Sequence, residues 1–320
     1  MASDTSSPLI CVKVSALEGG HLTLPEKLFV TDPDPDKRAT VPSMCFLIQH
    51  PSRGKNGKTT NVVLDLGVTR DLQSYMPAMQ AHIANRQPVI TSPDTAESLQ
   101  AGGLDPGSDI DVVMLSHVHW DHVGTPADFS SAKFVVGSGT LYLLQNGAPP
   151  HYPKEIFDPE LLPKERTYEL PPVRAEDGEY AAKLQVQSQW KSMFGLPAVL
   201  DYFGDGSVLV VDCPGHLRGH INLLLRVQAD KWVYLGGDCC HDIRILRGEK
   251  GIALYDDGHG QPRSVHMDTD QAANTLEVIK TFLKSDFRPD GQKATLEVLV
   301  AHDGSWREAN KHRFFPGALY

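Results

Sequence analysis

Hydrophobic positions along the chain fall into short runs rich in branched residues, broken by polar stretches carrying proline, glycine and aspartate. Runs at 10–14, 44–49 and 61–66 predict strands. The proline- and aspartate-rich residues 31–42 predict a loop, and 52–58, with Gly54 and Asn56-Gly57, a hairpin turn. Residues 71–86 predict a helix with Leu72, Tyr75, Met76 and Met79 on one face. A strand at 110–115 runs directly into Ser116-His117, and a strand at 133–136 precedes a helix at 138–146. The stretch 147–197 differs: it holds eight prolines and the aromatics Tyr152, Phe157, Tyr168, Trp190 and Phe194, and predicts a loop-rich insertion of the kind that serves as a substrate lid. Strand patterns return at 199–203, 207–211, 222–227 and 232–235, with Asp205-Gly206 as a turn between the first two. Residues 268–284 predict an amphipathic helix through Ala272, Leu276, Ile279 and Leu283, capped by Asp268 with Gln271 three residues on. A last buried strand, 295–300, leads to His302. Strands in both halves flanked by helices predict a layered α/β protein, one domain over 1–320; no GxGxxG or P-loop follows the first strand, so a nucleotide-binding sheet has no support.

Composition narrows the partners. With 41% hydrophobic and 22% charged residues the chain is not mostly disordered. No apolar run reaches the length of a spanning helix, and the first ten residues lack the basic and apolar regions of a secretory signal. Lys+Arg is 30 and Asp+Glu is 40, so the formal charge is 30 − 40 = −10, which disfavours nucleic acid or an anionic membrane as partner. Five cysteines without CxxC spacing form no disulfide framework and predict a reducing, cytoplasmic setting.

The chemistry concentrates in Ser116-His117-Val118-His119-Trp120-Asp121-His122-Val123-Gly124, where four candidate ligands lie within six residues after a predicted buried strand. His117 and His119 are two apart, so extended backbone turns them to one side, while Asp121 and His122 follow where the chain turns. Such a strand end offers two imidazoles to one cation and a carboxylate with a third imidazole to a neighbouring one. Neutral imidazole and carboxylate suit zinc, and manganese or iron less well. Three histidines and an aspartate at this spacing are not explained by packing.

The same segment matches the HxHxDH signature of the metallo-β-lactamase superfamily. The chain resembles that family at further places in the family's order: Val62-Val63-Leu64-Asp65-Leu66-Gly67, the PGHxxGH-type loop Cys213-Pro214-Gly215-His216-Leu217-Arg218-Gly219-His220, Gly236-Gly237-Asp238, and Ala301-His302-Asp303. The resemblance implies a four-layer αββα sandwich and a cage for two divalent metal ions, zinc first, with manganese or iron as alternatives. By that resemblance the first ion takes His117, His119 and His216, the second takes Asp121, His122 and His302, and Asp238 bridges both. Asp65 and His220 stand behind the ligands. His302 is preferred over His241, His259 and His266 because it ends a predicted buried strand, and Cys239-Cys240 are expected to be inert buried thiols.

Two such ions polarise a carbonyl and lower the pKa of a bridging water, so the expected reaction is attack of hydroxide on an ester-type carbonyl. Asp121 orients the hydroxide and then protonates the leaving group. The alternative of another class is a mononuclear iron dioxygenase or a non-catalytic metal-binding protein; a mononuclear iron enzyme has no need of Asp121 and His122 as ligands. The chain is most similar to the quorum-quenching lactonases, in size, insertion and the segment Glu18-Gly19-Gly20-His21-Leu22. Those enzymes place a tyrosine three residues after the bridging aspartate, where this chain has His241, an imidazole that can still donate a hydrogen bond to a substrate carbonyl. The expected substrate is therefore a small lactone or related ester with an apolar acyl or aromatic part, in a pocket formed by Trp190, Phe194, Tyr152 and Phe157. A thioesterase, glyoxalase II-like or polyketide-releasing, is the alternative. Likeness to the lactonases also implies a homodimer.

Overall fold

The computed structural model describes residues 9–51, 57–173, 188–256, 260 and 262–320. The first half of the chain gives β1 (Lys13–Leu17), a hairpin of β2 (His21–Pro25) and β3 (Arg38–Pro42), β4 (Cys45–His50), β5 (Thr60–Leu64), α1 (Pro77–Ala84), α2 (Thr95–Ala101), β6 (Val112–Met114), β7 (Lys133–Val136), α3 (Thr140–Asn146) and β8 (Thr167–Glu169). The second half gives β9 (Lys191–Met193), β10 (Leu196–Asp201), β11 (Val208–Asp212), β12 (Ile221–Gln228), β13 (Lys231–Leu235), α4 (Ile243–Leu246), the short pair β14 (Tyr255–Asp256) and β15 (Pro262–Arg263), α5 (Thr269–Lys284), β16 (Thr295–Leu299) and α6 (Gly304–Ala309). One six-stranded sheet runs β1-β4-β5-β6-β7-β8 and the other β16-β13-β12-β11-β10-β9.

The period of two along each strand builds the layers. In β4, Phe46 and Ile48 join Leu64, Met114, Val208, Val210, Leu223 and Leu235 in a core between the sheets. Their neighbours Cys45 and Leu47 face the other way, with Val63 and Val113, onto Leu99 of α2 and Leu143 of α3. In the second sheet Leu209, Val211 and Leu224 turn outward onto Leu276 and Ile279 of α5. Both faces of each sheet are thus covered, which is why the strands carry nearly continuous apolar runs. The result is the helix–sheet–sheet–helix sandwich. Leu223 lies wholly inside it, so truncation to alanine there costs about 2–5 kcal/mol.

Several elements differ from the sequence expectation. Residues 38–42, placed in a loop, form β3 against β2, with Leu24 opposite Ala39; the strand is half exposed and offers only Ala39 and Val41 as an apolar face. The helix expected over 71–86 is a short 3-10 turn followed by α1. Pro77 is the cause: its ring holds Met76 in an extended conformation, and it starts the helix at a position where no N–H is needed. Met76 is consequently exposed. The first strand lies at Lys13–Leu17 rather than 10–14, in register with β4 through Val14 and Ile48. α2 is absent from the hydrophobic pattern but signalled by its start, where Asp94 and Glu97 form a capping box. Within 147–197, β8 extends the first sheet beside β7, pairing Val135 with Tyr168, so part of the predicted insertion is sheet edge. The expected turn at 52–58 lies mostly outside the described residues. On α5, Phe282 rather than Leu283 takes the innermost position.

Candidate metal centre

The ligand candidates all follow strand ends at one rim of the sandwich. His117, His119, Asp121 and His122 come after β6, His216 after β11, Asp238 after β13 and His302 after β16. β13 and β16 are parallel neighbours with Leu235 opposite Leu299. Asp238 and His302 each lie three residues past that pair, so the register alone brings them level. Gly124 lets the loop carrying the four-ligand segment close back on the first sheet: its φ is +50°, and a Cβ there would meet the Leu66 carbonyl oxygen at 2.4 Å. Gly215 does the same for the His216 loop, where a Cβ would lie 2.3 Å from the Ala272 nitrogen at the start of α5. Ser43 donates a hydrogen bond to the Asp121 carbonyl and Tyr75 to the Trp120 carbonyl, pinning the segment from outside.

Two donor sets result. His117 Nε2, His119 Nδ1 and His216 Nε2 form a triangle with sides of 3.0, 3.0 and 3.2 Å. Asp238 Oδ2 lies 3.5 Å from His216 Nε2 and 3.7 Å from His117 Nε2. Asp238 Oδ1 faces the other set, 3.3 Å from His122 Nε2 and 3.2 Å from His302 Nε2, with Asp121 Oδ2 3.5 Å from His302 Nε2. A tetrahedral cation about 2.0–2.1 Å from each imidazole nitrogen spaces those nitrogens roughly 3.3 Å apart, so the triangle fits. Two buried atoms of the second set, His122 Nε2 and Asp238 Oδ1, have no hydrogen-bond partner. Orphaned buried acceptors are costly, and a cation between them resolves the cost. The residues fit a pair of divalent ions sharing Asp238.

The far side of each ring is also engaged. Asp65 Oδ2 accepts from His122 Nδ1 at 2.9 Å and from Ser116 Oγ at 2.7 Å, and Ser116 Oγ in turn lies 3.0 Å from His117 Nδ1. His302 Nδ1 donates to the Pro42 carbonyl at 2.8 Å. These contacts leave the Nε2 lone pairs of His117, His122 and His302 free to bind metal. Asp65 sits at φ +62°, a left-handed conformation that aspartate tolerates, which turns its carboxylate back across the strand end. His216 Nδ1 meets His266 Nδ1 at 3.1 Å. Burial and the neighbouring His241 push the His266 pKa down to about 3, so its ring is neutral and can accept that proton. His220 stands behind the ligands, edge-on to the His117 ring at 5.1 Å and the His216 ring at 5.4 Å; its Nδ1 donates to the Cys213 carbonyl and its Nε2 takes the Asp238 backbone N–H.

Charge is divided between the sets. Burial, and then the surrounding imidazoles, hold His117 well below the usual histidine range, and burial likewise lowers His119 and His216, so all three are neutral as ligands must be. Burial opposes charge on His122 and His302 too, but Asp238 and Asp121, joined by Asp65 at His122, outweigh it and raise both. Burial alone would raise Asp238; His302, His122 and His241 instead hold it ionised. Without metal, protons on the second set balance the carboxylates; a cation would replace them.

A cavity of about 240 Å³ opens over the cluster, lined in part by Leu22, Leu24, Phe29, Met79 and Trp120. Of the four aromatics expected there, Tyr152 lines it and stacks on His119 at 5.4 Å. The other three do not. Trp190 donates to the Pro171 carbonyl and borders a different cavity, Phe194 packs on Trp232 and Phe287 beneath the second sheet, and Phe157 lines an adjoining pocket with Tyr75 and Met76. Their sequence neighbourhood put them near the site; their apolar rings went to separate cores. His241 does reach the cavity: its ring is parallel to His302 at 5.6 Å, tilts on Phe29 at 4.8 Å, and its Nε2 is 3.2 Å from Asp238 Oδ2. His259 lies outside the described residues. Cys239 and Cys240 are buried, and burial raises the Cys240 thiol further after its contact with Cys239. Sequence reasoning missed Arg86, Arg263 and Tyr255 in the cavity wall; no local pattern marks them, because they come from a helix end and a short hairpin that meet only in the fold.

Residues 39–236 match the metallo-beta-lactamase superfamily, and the chain belongs to it. It is 32% identical over 248 residues to the Penicillium brevicompactum protein named cytochrome P450 monooxygenase mpaDE, covering 75% of this chain and 27% of that protein. It covers no more than 27% of two other proteins of that name. It is 30% identical over 203 residues to gamma-lactamase FDB1 of Fusarium pseudograminearum, covering 62% of this chain and 45% of that one. A crystal structure of B. thuringiensis AiiA with N-decanoyl-L-homoserine at its active site superposes with a TM-score of 0.64 at 16% identity, covering 98% of this chain and 100% of the other. The chain thus shares its family with a relative named gamma-lactamase and its fold with the AiiA structure. Among the described residues no helix is long and apolar enough to cross a membrane.

Proposed function

We propose that this chain is a hydrolase that holds two divalent ions, zinc first, and opens an ester-type bond, in particular that of a lactone or related ester with an apolar acyl or aromatic part. The observation that carries this reading is the pair of donor sets joined by the two oxygens of Asp238. When bound, two ions so placed polarise a carbonyl and supply a water acidic enough to act near neutral pH. The chain's own residues do the rest. Asp121, at the cavity floor beside His302, takes up the proton released by the attacking water and returns it to the leaving oxygen. His241 donates a hydrogen bond to the substrate carbonyl oxygen, its ring held by Phe29 and His302. Leu22, Leu24, Phe29 and Met79 exclude water from the acyl or aromatic part. Tyr152, Pro153 and Ile156 supply part of the wall from the 147–197 stretch, which is the support for reading that stretch as a substrate cover. A relative named gamma-lactamase favours a cyclic acyl substrate, and a structural neighbour with an acyl homoserine at its active site favours an acyl part.

The test is a hydrolysis panel of aliphatic and aryl lactones, aryl esters, thioesters and a γ-lactam, run on zinc-loaded and chelated protein. Lactones or aryl esters should turn over fastest, lose turnover with chelator and regain it with zinc. Preference for the thioesters or the γ-lactam, or turnover indifferent to chelator, overturns the reading.

A further inference from the structure

The cavity over the metal centre carries two kinds of charge. Its carboxylates, Asp121 and Asp238, both belong to the donor sets, whereas its arginines, Arg86 and Arg263, do not. Arg263 lies over Tyr152 at 5.8 Å and over its strand partner Tyr255 at 5.7 Å. Tyr152 stacks on His119 with its opposite relations set by the Val265 carbonyl, to which its hydroxyl donates at 2.5 Å. A ligand ring, Tyr152 and the Arg263 guanidinium therefore follow one another along the wall.

Arg86 is the sharper case. It lies just past the end of α1, its backbone fixed on both sides: its N–H donates to Ile83 at 2.8 Å and its carbonyl accepts from Thr23 at 2.9 Å. Its side chain is half-buried in the cavity wall. Among the described residues its guanidinium has neither a hydrogen-bond acceptor nor a carboxylate in ion-pair range; burial lowers its pKa, and Asp121 opposes that only through space. Three other partly or fully buried arginines each hold a carboxylate. Arg226 holds Asp290, Arg307 holds Glu18 and Arg313 holds Glu297. A guanidinium withdrawn from water without an anion is unfavourable, and five fixed N–H donors facing a cavity are a carboxylate receptor when the anion comes with the ligand.

We propose that Arg86, assisted by Arg263, forms an anion subsite, and that the substrate bears a carboxylate in addition to the bond that is cleaved. The inference rests on the hydrolase reading for the word substrate, and its test reads binding rather than turnover. The zinc-loaded full chain is titrated calorimetrically with linear dicarboxylates from glutarate to suberate and with their monomethyl esters. One carboxylate can reach the metals in either series; the second is present only in the diacids. At least one diacid should bind about tenfold or more tighter than its monoester. Arg86→Gln should abolish that preference while leaving the monoester's affinity unchanged, Arg86→Lys should retain part of it, and Arg263→Gln should reduce it. Equal binding of diacid and monoester by the unaltered chain, or a preference that survives Arg86→Gln, overturns the subsite. A failed hydrolysis panel with an intact diacid preference would instead remove the proposed reaction and leave the subsite standing.

Discussion

Asp65 and His122 meet through a 2.9 Å hydrogen bond from the ring Nδ1 to the carboxylate, and the same oxygen reaches His117 through the Ser116 hydroxyl. One residue thus orients an imidazole in each donor set. Asp65→Asn keeps the left-handed backbone that asparagine also tolerates, but it replaces the carboxylate charge and one of the two acceptor oxygens. Zinc affinity, measured by competition with a chromophoric chelator, should fall by about 10–100-fold, with the circular dichroism spectrum unchanged.

In the proposed reaction Asp121 moves a proton as well as binding metal. Asp121→Asn should lower kcat by a factor of about 10²–10⁴ on the best substrate of the panel, while at least one metal ion per chain remains by elemental analysis. Unchanged kcat would remove Asp121 from the reaction.

His241 stands 3.2 Å from Asp238 Oδ2, close enough to be a ligand and exposed enough to meet substrate. If it donates to the carbonyl, His241→Ala should lower kcat/KM on lactones by about tenfold to a hundredfold, the worth of one hydrogen bond to developing charge, with metal content intact. Loss of a metal ion would make it a ligand.

The loop carrying Asp238 and His241 runs into α4, where Arg244 bonds Glu26, and Glu26 also takes Lys37. Hydrogen bonds from Lys37 and Arg244 hold the Glu26 carboxyl at about 2, below its ordinary 4.5. A depressed carboxyl pKa contributes stability that is present above about 4.5 and lost as pH falls towards 2. Unaltered protein should therefore exceed Glu26→Gln in urea stability at pH 7 by about 1 kcal/mol, the scale of a partly screened pair. The difference should shrink through that acid window; a difference independent of pH would contradict the assignment.

Much of this architecture is legible in the chain. The four-ligand segment follows a strand because Val112–Met114 is a short apolar run buried on both faces, whereas His302 lies three residues past β16, an edge strand that is only partly buried before Leu299 and so not the buried strand expected there. α5 announces itself through Ala272, Leu276 and Ile279 and its Asp268 cap. What escapes local reading depends on contacts far apart in sequence. β3 is defined by its partner β2 rather than by its own composition, and Trp190, Phe194 and Phe157 are aromatic residues whose destinations only the packing decides. His266, set aside as a loop residue, proves to be buried against His216; Arg86 has no sequence signal at all.

The proposed chemistry turns on Asp238 joining two cation sites. Elemental analysis of the zinc-reconstituted, buffer-exchanged chain beside His117→Ala and His302→Ala tests it most directly. The unaltered chain should hold two zinc ions, and each variant should lose the ion of its own donor set first. A single ion in the unaltered chain at saturating zinc, or none, would contradict the account.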